Sequence, residues 1–240
     1  MSEQSPPARP HKRFTDDGRR MREVLSYSRR GSRFTPKQQR AWDTYANQYV
    51  IPDEAVDRPG FSLRDVFDLE APLIIEIGCG VGEATAVLAA QRPSCNILGL
   101  EVWRPGLADC VGRVGELGLE NVKLCGIDAV WLVEHLVEPG QLEELWTFFP
   151  DPWRKLRHHK RRLVNSEFVS TAAARLRAGG AWRLATDWAD YAEQMVQVLD
   201  AEPMLEGGVV PRWSDRPITR FERRGLAEDR EPTDLRYLRI

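Results

Sequence analysis

The chain has no run of about 18 apolar residues, the minimum for a membrane-spanning helix. Its opening residues, 1–11, are polar and proline-rich rather than basic and then apolar, so neither a membrane span nor a secretory signal is predicted. A cytoplasmic protein with no membrane partner is expected. Cysteine is scarce too. Cys79, Cys95, Cys110 and Cys125 form no Cys-x-x-Cys pair and have no histidine at ligand spacing. That pattern speaks against a zinc site and a disulfide framework and predicts reduced, mostly buried thiols and no metal. An excess of one charge is also missing, since 34 Lys and Arg stand against 36 Asp and Glu for a net charge of −2. A chain basic throughout is excluded, but nucleic-acid binding needs no more than a local positive face. Internal repeats and low-complexity tracts are absent.

What is present suits one compact domain with appendages: 240 residues, 42% of them hydrophobic. Residues 1–40 carry eleven Lys or Arg against four Asp or Glu and few aliphatics, which reads as a flexible basic N-terminal arm. Thr35-Pro36 offers a helix start, with proline at the first helical position, and the helix is expected to reach about Tyr45. Residues 41–72 therefore read as that helix and a linker rich in Pro and Asp. From 73 to 240 apolar runs of strand length (73–77, 96–102, 122–128, 142–149, 181–186) alternate with helical stretches (83–90, 104–117, 129–137, 166–176, 188–199). Such alternation predicts an α/β domain with parallel strands and helices on both faces. Gly179-Gly180 reads as a helix stop.

The first predicted strand runs into Glu76-Ile77-Gly78-Cys79-Gly80-Val81-Gly82. Gly78 and Gly80 let backbone approach a ligand where a Cβ would collide. The dinucleotide fingerprint has its third glycine one residue later and seats a pyrophosphate. Here an acid, Glu76, sits just upstream, which favours a ligand with positive charge and no phosphate, such as S-adenosylmethionine, over NAD. Glu101 ends the second predicted strand, where a carboxylate accepts from ribose hydroxyls. Asp128 ends the third, where it can accept from the adenine amine while the Ala129 N–H donates to the ring. Each has a plainer alternative, since Asp128 also fits a helix cap and Glu101 a solvated strand end. Together they follow the rule that open α/β sheets bind ligands at the carboxyl ends of their strands.

The fourth predicted strand ends in Phe148-Phe149-Pro150-Asp151-Pro152-Trp153, where two prolines stiffen a loop around one carboxylate. Six Lys or Arg then fall within nine residues, 154–162, with no acid among them. Polyphosphate is the complement of such a run.

These segments resemble the bacterial tRNA (guanine-N7)-methyltransferases, whose mark is Phe-Pro-Asp-Pro-Trp followed by a Lys/Arg/His-rich run and a helix. The likeness extends to Ile75-Glu76-Ile77-Gly78-Cys79-Gly80, Leu100-Glu101-Val102, Ala185-Thr186-Asp187-Trp188 and the 217–225 stretch around Thr219-Arg220-Phe221-Glu222. Two departures stand out: Arg220 where many members carry Lys, and Leu156 interrupting the basic run. The resemblance implies a Rossmann-like, doubly wound, mostly parallel seven-stranded sheet, the class I methyltransferase fold. It implies methyl transfer from S-adenosylmethionine to N7 of the variable-loop guanosine, position 46, of tRNA. By the same likeness Glu76, Glu101, Asp128 and Asp151 would contact the cofactor, with Asp151 also the catalytic group. Lys155, Asp187, Thr219, Arg220, Phe221 and Glu222 would hold the guanosine, and Arg157, His158, His159, Lys160, Arg161 and Arg162 would contact RNA. The expected partner is tRNA rather than DNA, with monomer and homodimer both open. A rival reading is an RNA-binding protein that keeps this fold without catalysis.

Overall fold

The structure, a computed structural model, describes residues 25–27 and 31–240. Most of the expected basic arm lies outside the described residues, and its last five positions, 36–40, are helical. The elements in chain order are α1 (Pro36–Tyr49), β1 (Val50–Ile51), α2 (Asp53–Val56), β2 (Leu73–Ile77), α3 (Glu83–Gln91), β3 (Asn96–Leu100), α4 (Arg104–Glu116), β4 (Val122–Cys125), α5 (Ala129–His135) and β5 (Leu142–Phe148). They continue with α6 (Ser166–Arg175), β6 (Leu176–Thr186), α7 (Ala189–Asp200), β7 (Leu205–Val210), α8 (Arg220–Ala227) and β8 (Thr233–Arg239).

Local chemistry sets several of these boundaries. The Thr35 hydroxyl accepts from the Gln38 N–H at 3.3 Å while Gln38 Oε1 accepts from the Thr35 N–H at 2.9 Å. With Pro36 at the first position this capping box starts α1 where the sequence predicts. The helix runs beyond the expected Tyr45, because Ala46 and Tyr49 are buried against α4 and β4 residues in one of two core layers.

The strands form one sheet in the order β1-β4-β3-β2-β5-β6-β8-β7, in which β8 alone runs opposite to the others, antiparallel to both its neighbours β6 and β7. β2 is buried along its whole length. Its alternate side chains serve two layers, with Ile74 joining Leu88, Leu107 and Val111 on one face, and Ile75 and Ile77 joining Leu132, Phe168 and Tyr191 on the other. From β2 the chain winds through β3 to β4 on one side, and from β5 to β6 on the other. The carboxyl ends of β2 and β5 therefore flank the switch point where such sheets bind ligands.

Two expectations need correction. Among the described residues the sheet has eight strands rather than seven, the addition being β1, a two-residue edge strand pairing with β4 inside what reads as linker; two residues are too few to show a period. Gly179-Gly180 does not stop a helix. α6 ends at Arg175, and β6 already runs through both glycines, with Gly179 at φ +75° near a register shift against β5 at Leu142/Glu144.

Candidate active site

The turn after β2 is built from glycines in the left-handed region: Gly78 at φ +76°, Gly80 at +57° and Gly82 at +76°. Two of them do different things. A Cβ on Gly78 would meet nothing within 4 Å, whereas one on Gly82 would come 2.5 Å from Cys110 Sγ on α4. Gly78 therefore leaves room beside the turn, and Gly82 lets α3 start against α4. The Gly78 and Cys79 N–H groups both donate to the Leu100 carbonyl, at 2.8 and 3.0 Å, which ties the turn to the end of β3.

A cavity of about 160 Å³ opens there, lined among others by Gly78, Gly80, Glu101, Ala129, Asp151 and Phe221. Glu101 accepts from the Gly80 N–H at 3.0 Å and from the Trp103 N–H at 2.7 Å. Asp128 is buried and caps α5, accepting from the Trp131 N–H at 3.0 Å, and it is Ala129, one residue on, that borders the cavity. Glu76 lies beneath the turn with its Oε2 accepting from the Thr85 hydroxyl at 2.6 Å, and burial pushes its carboxyl up to about 7.

Asp151 faces the cavity from a loop that breaks the usual backbone rules at both ends: Phe149 has φ +53° and Trp153 φ +44°. Non-glycine residues in this region are uncommon and gather at functional sites. Trp153 is held beneath the Arg161 guanidinium, 3.7 Å from the ring centre, and its Nε1 donates to the Ser26 carbonyl at 2.9 Å. Arg161 in turn donates to the carbonyls of Leu25 and Tyr27, at 2.9 and 3.2 Å. Ser26 and Tyr27 thereby become part of the cavity wall.

The basic run divides by exposure. Lys155, Arg157 and Lys160 are exposed, and Arg154 is exposed with its guanidinium 4.6 Å from the Trp188 ring centre. His158 and His159 are half-buried, and His159 Nε2 lies 3.6 Å from Asp190. Arg162 is the exception to the expected RNA contact, since it is 2% exposed and bonded wholly inward.

On the opposite rim, Arg220 and Phe221 line the cavity, and the Arg220 N–H donates to Glu83 at 2.6 Å. Thr219 caps α8 and is buried. Glu222 departs from the expected guanosine contact: at 1% exposure its two oxygens take Arg212 at 2.7 Å and Arg216 at 2.6 Å, and Arg216 pairs onward with Asp234 at 2.6 Å. Asp187 accepts from Arg230 at 2.7 Å, and Trp188 stands at the cap position of α7. Of the expected site residues, Gly78, Gly80, Glu101, Ala129, Asp151, Arg220 and Phe221 meet around one cavity. Glu76, Asp128, Lys155, Asp187, Thr219 and Glu222 stand outside its lining.

A family model described as "Putative methyltransferase" matches residues 70–235. A protein of Nocardioides sp. named tRNA (guanine-N(7)-)-methyltransferase is 64% identical, over 97% of this chain and 94% of its own length. Proteins of the same name from Cutibacterium acnes and Burkholderia cenocepacia are each 44% identical, over 91% and 85% of this chain and 84% and 80% of theirs. The chain belongs to the tRNA (guanine-N(7)-)-methyltransferase family. Solved structures agree on the fold. The antibiotic-resistance methyltransferase Kmr aligns with a TM-score of 0.52 at 15% identity, covering 79% of this chain and 94% of that one. An antibiotic-related methyltransferase aligns at 0.51 and 16%, covering 76% and 97%.

Within this family member, two features escaped sequence reasoning. The 25–27 segment against the cavity carries no periodic or compositional signal. The Arg212–Glu222–Arg216–Asp234 ion cluster joins residues far apart in the chain, and no local pattern marks them as partners.

Proposed function

We propose that this chain transfers a methyl group from S-adenosylmethionine to N7 of the variable-loop guanosine of tRNA, in the cytoplasm. The observation that carries the reading is the single cavity that the glycine turn, Glu101 and Asp151 share at the β2/β5 switch point, with exposed cations on the Asp151 side.

The residues fit that cofactor. Open space stands where a Gly78 Cβ would project, so the ligand can lie against backbone. Glu101 is a carboxylate at the cavity wall, the acceptor that ribose hydroxyls need, and Asp128 with the Ala129 N–H suits the adenine edge. Glu76 lies buried beneath the turn, where a cationic ligand above it favours the ionised carboxylate. Bound there, S-adenosylmethionine supplies a methyl group on positively charged sulfur.

The chain's part in the chemistry is placement and charge. Guanine N7 already carries an in-plane lone pair, so no residue has to remove a proton from it. Asp151 stabilises the positive charge that develops on the guanine ring. A carboxylate also accepts from guanine N1–H and the exocyclic amine, a donor pair that adenine does not present in that arrangement, and so selects the base. Phe221 and Arg220 form the facing wall, while Arg157, His158, Lys160 and Arg161 meet phosphates.

The test is methylation of bulk tRNA with labelled cofactor, followed by strand cleavage specific for N7-methylguanosine. Label in the variable loop at N7 is expected; label at another atom overturns the reading.

A further inference from the structure

Among the cations of the 154–162 run, Arg162 alone is fully buried. Its Nε donates to the Pro152 carbonyl at 2.9 Å, Nη1 to Gln194 Oε1 at 2.8 Å and Nη2 to Asp190 Oδ2 at 2.5 Å. The guanidinium lies 4.7 Å from the centre of the Tyr191 ring. Asp190, Tyr191 and Gln194 all sit on the first turns of α7. The two side chains around the fork are anchored in turn, since Gln194 donates to the Val164 carbonyl at 3.2 Å and the Tyr191 hydroxyl accepts from the Val164 N–H at 3.0 Å. A rigid, planar fork is what joins one carbonyl to two side chains in different directions; an ammonium on a flexible stem does this poorly.

The carbonyl held by Nε belongs to the residue after Asp151. The loop around it has positive φ at Phe149 and Trp153, and such residues cost on the order of 1–3 kcal/mol each unless the surroundings hold them. Burying a guanidinium is itself costly and needs full pairing. Both costs coincide on this loop, beside the carboxylate that faces the cavity.

We propose that Arg162 is a positioning residue for methyl transfer: it fixes Asp151 at the cavity by clamping the Pro152 carbonyl to α7, and it makes no contact with RNA. The proposal rests on Asp151 acting in the reaction.

The experiment compares Arg162→Lys, Gln194→Ala and Asp151→Ala in the full-length protein, measuring kcat and KM for tRNA, tRNA affinity at several salt concentrations, and melting temperature, with Arg162→Ala added for the salt slope alone. Arg162→Lys is expected to lower kcat ten- to a hundred-fold, the scale of about 1 Å misplacement, with tRNA affinity and its salt slope unchanged. Gln194→Ala removes no cation, and kcat is expected to fall in the same direction by a smaller factor; it carries the test if Arg162→Lys does not fold. Weaker tRNA binding with kcat kept, or an Arg162→Ala slope lower by about one, would make Arg162 an RNA contact and overturn the proposal. Wild-type kcat in both Arg162→Lys and Gln194→Ala overturns it as well. If Asp151→Ala methylates at the wild-type rate, the reading of the site fails; if Asp151→Ala is inactive and the other two variants keep kcat, positioning alone fails.

Discussion

Glu76 is 3% exposed beneath the glycine turn. Desolvation dominates its titration and pushes the carboxyl up to about 7 from an ordinary 4.5, against the hydrogen bond from Thr85 and with a further push from Glu101. A carboxyl whose folded value is raised holds its proton more tightly in the folded state. The folded protein therefore has its full share of stability below about pH 4.5 and loses it as pH rises toward 7, by about 3 kcal/mol in all. Glu76→Gln keeps an acceptor for Thr85 and has no charge to desolvate. Denaturant midpoints at pH 5 and pH 8 should show the variant gaining on the wild type at the higher pH. A difference that does not move with pH would refute the burial argument. Asp151 makes a different prediction: Asp151→Ala should lower the single-turnover methylation rate on the order of 10²-fold while the melting temperature shifts little.

At the scale of elements, the turn between β2 and α3 separates two kinds of glycine. Gly82→Ala forces a methyl to 2.5 Å from Cys110 Sγ at φ +76°, so overpacking adds to the backbone cost, about 2–4 kcal/mol together. Gly78→Ala carries the φ cost without a collision, because its methyl enters open space, and should lose about 1–2 kcal/mol. Calorimetry should find the reverse order for S-adenosylmethionine binding, with the larger affinity loss per kcal/mol of stability in Gly78→Ala. Equal effects on both quantities would sink the division. The same elements show what a sequence carries. The β2 run of apolar residues, the Thr35-Pro36 start and the glycine turn were readable because each is local: a period, a cap, a missing Cβ. The burial of Arg162 and Glu222 was not readable for the opposite reason. Both sit in exposed-looking charged motifs, and what buries them are partners such as Asp190 and Arg216, whose proximity no spacing announces. The two-residue β1 lies below the length at which a period exists at all.

For the whole molecule, charge is balanced at −2, so attraction to tRNA depends on where cations are free rather than on their number. The exposed Arg157 and Lys160 should each release about one counterion from the phosphates they meet, since each neutralised phosphate contributes about 0.7–0.9 to the slope of log affinity against log salt. Arg157→Ala/Lys160→Ala should therefore flatten that slope by about 1–2, unlike Arg162→Lys. His158 adds a dependence on pH. Partial burial first, then the cations Arg157, Arg161, Lys155 and Lys160, hold its imidazole below the ordinary 6.5. It is neutral in the free protein at pH 7, and a phosphate drawn among those cations favours its protonated form. Binding that takes up a proton strengthens as pH falls, so tRNA affinity should rise between pH 8 and pH 5.5, and His158→Gln should reduce that rise. The measurement is a binding titration at constant ionic strength across that range, and a variant whose pH dependence matches the wild type would remove His158 from the RNA-binding face.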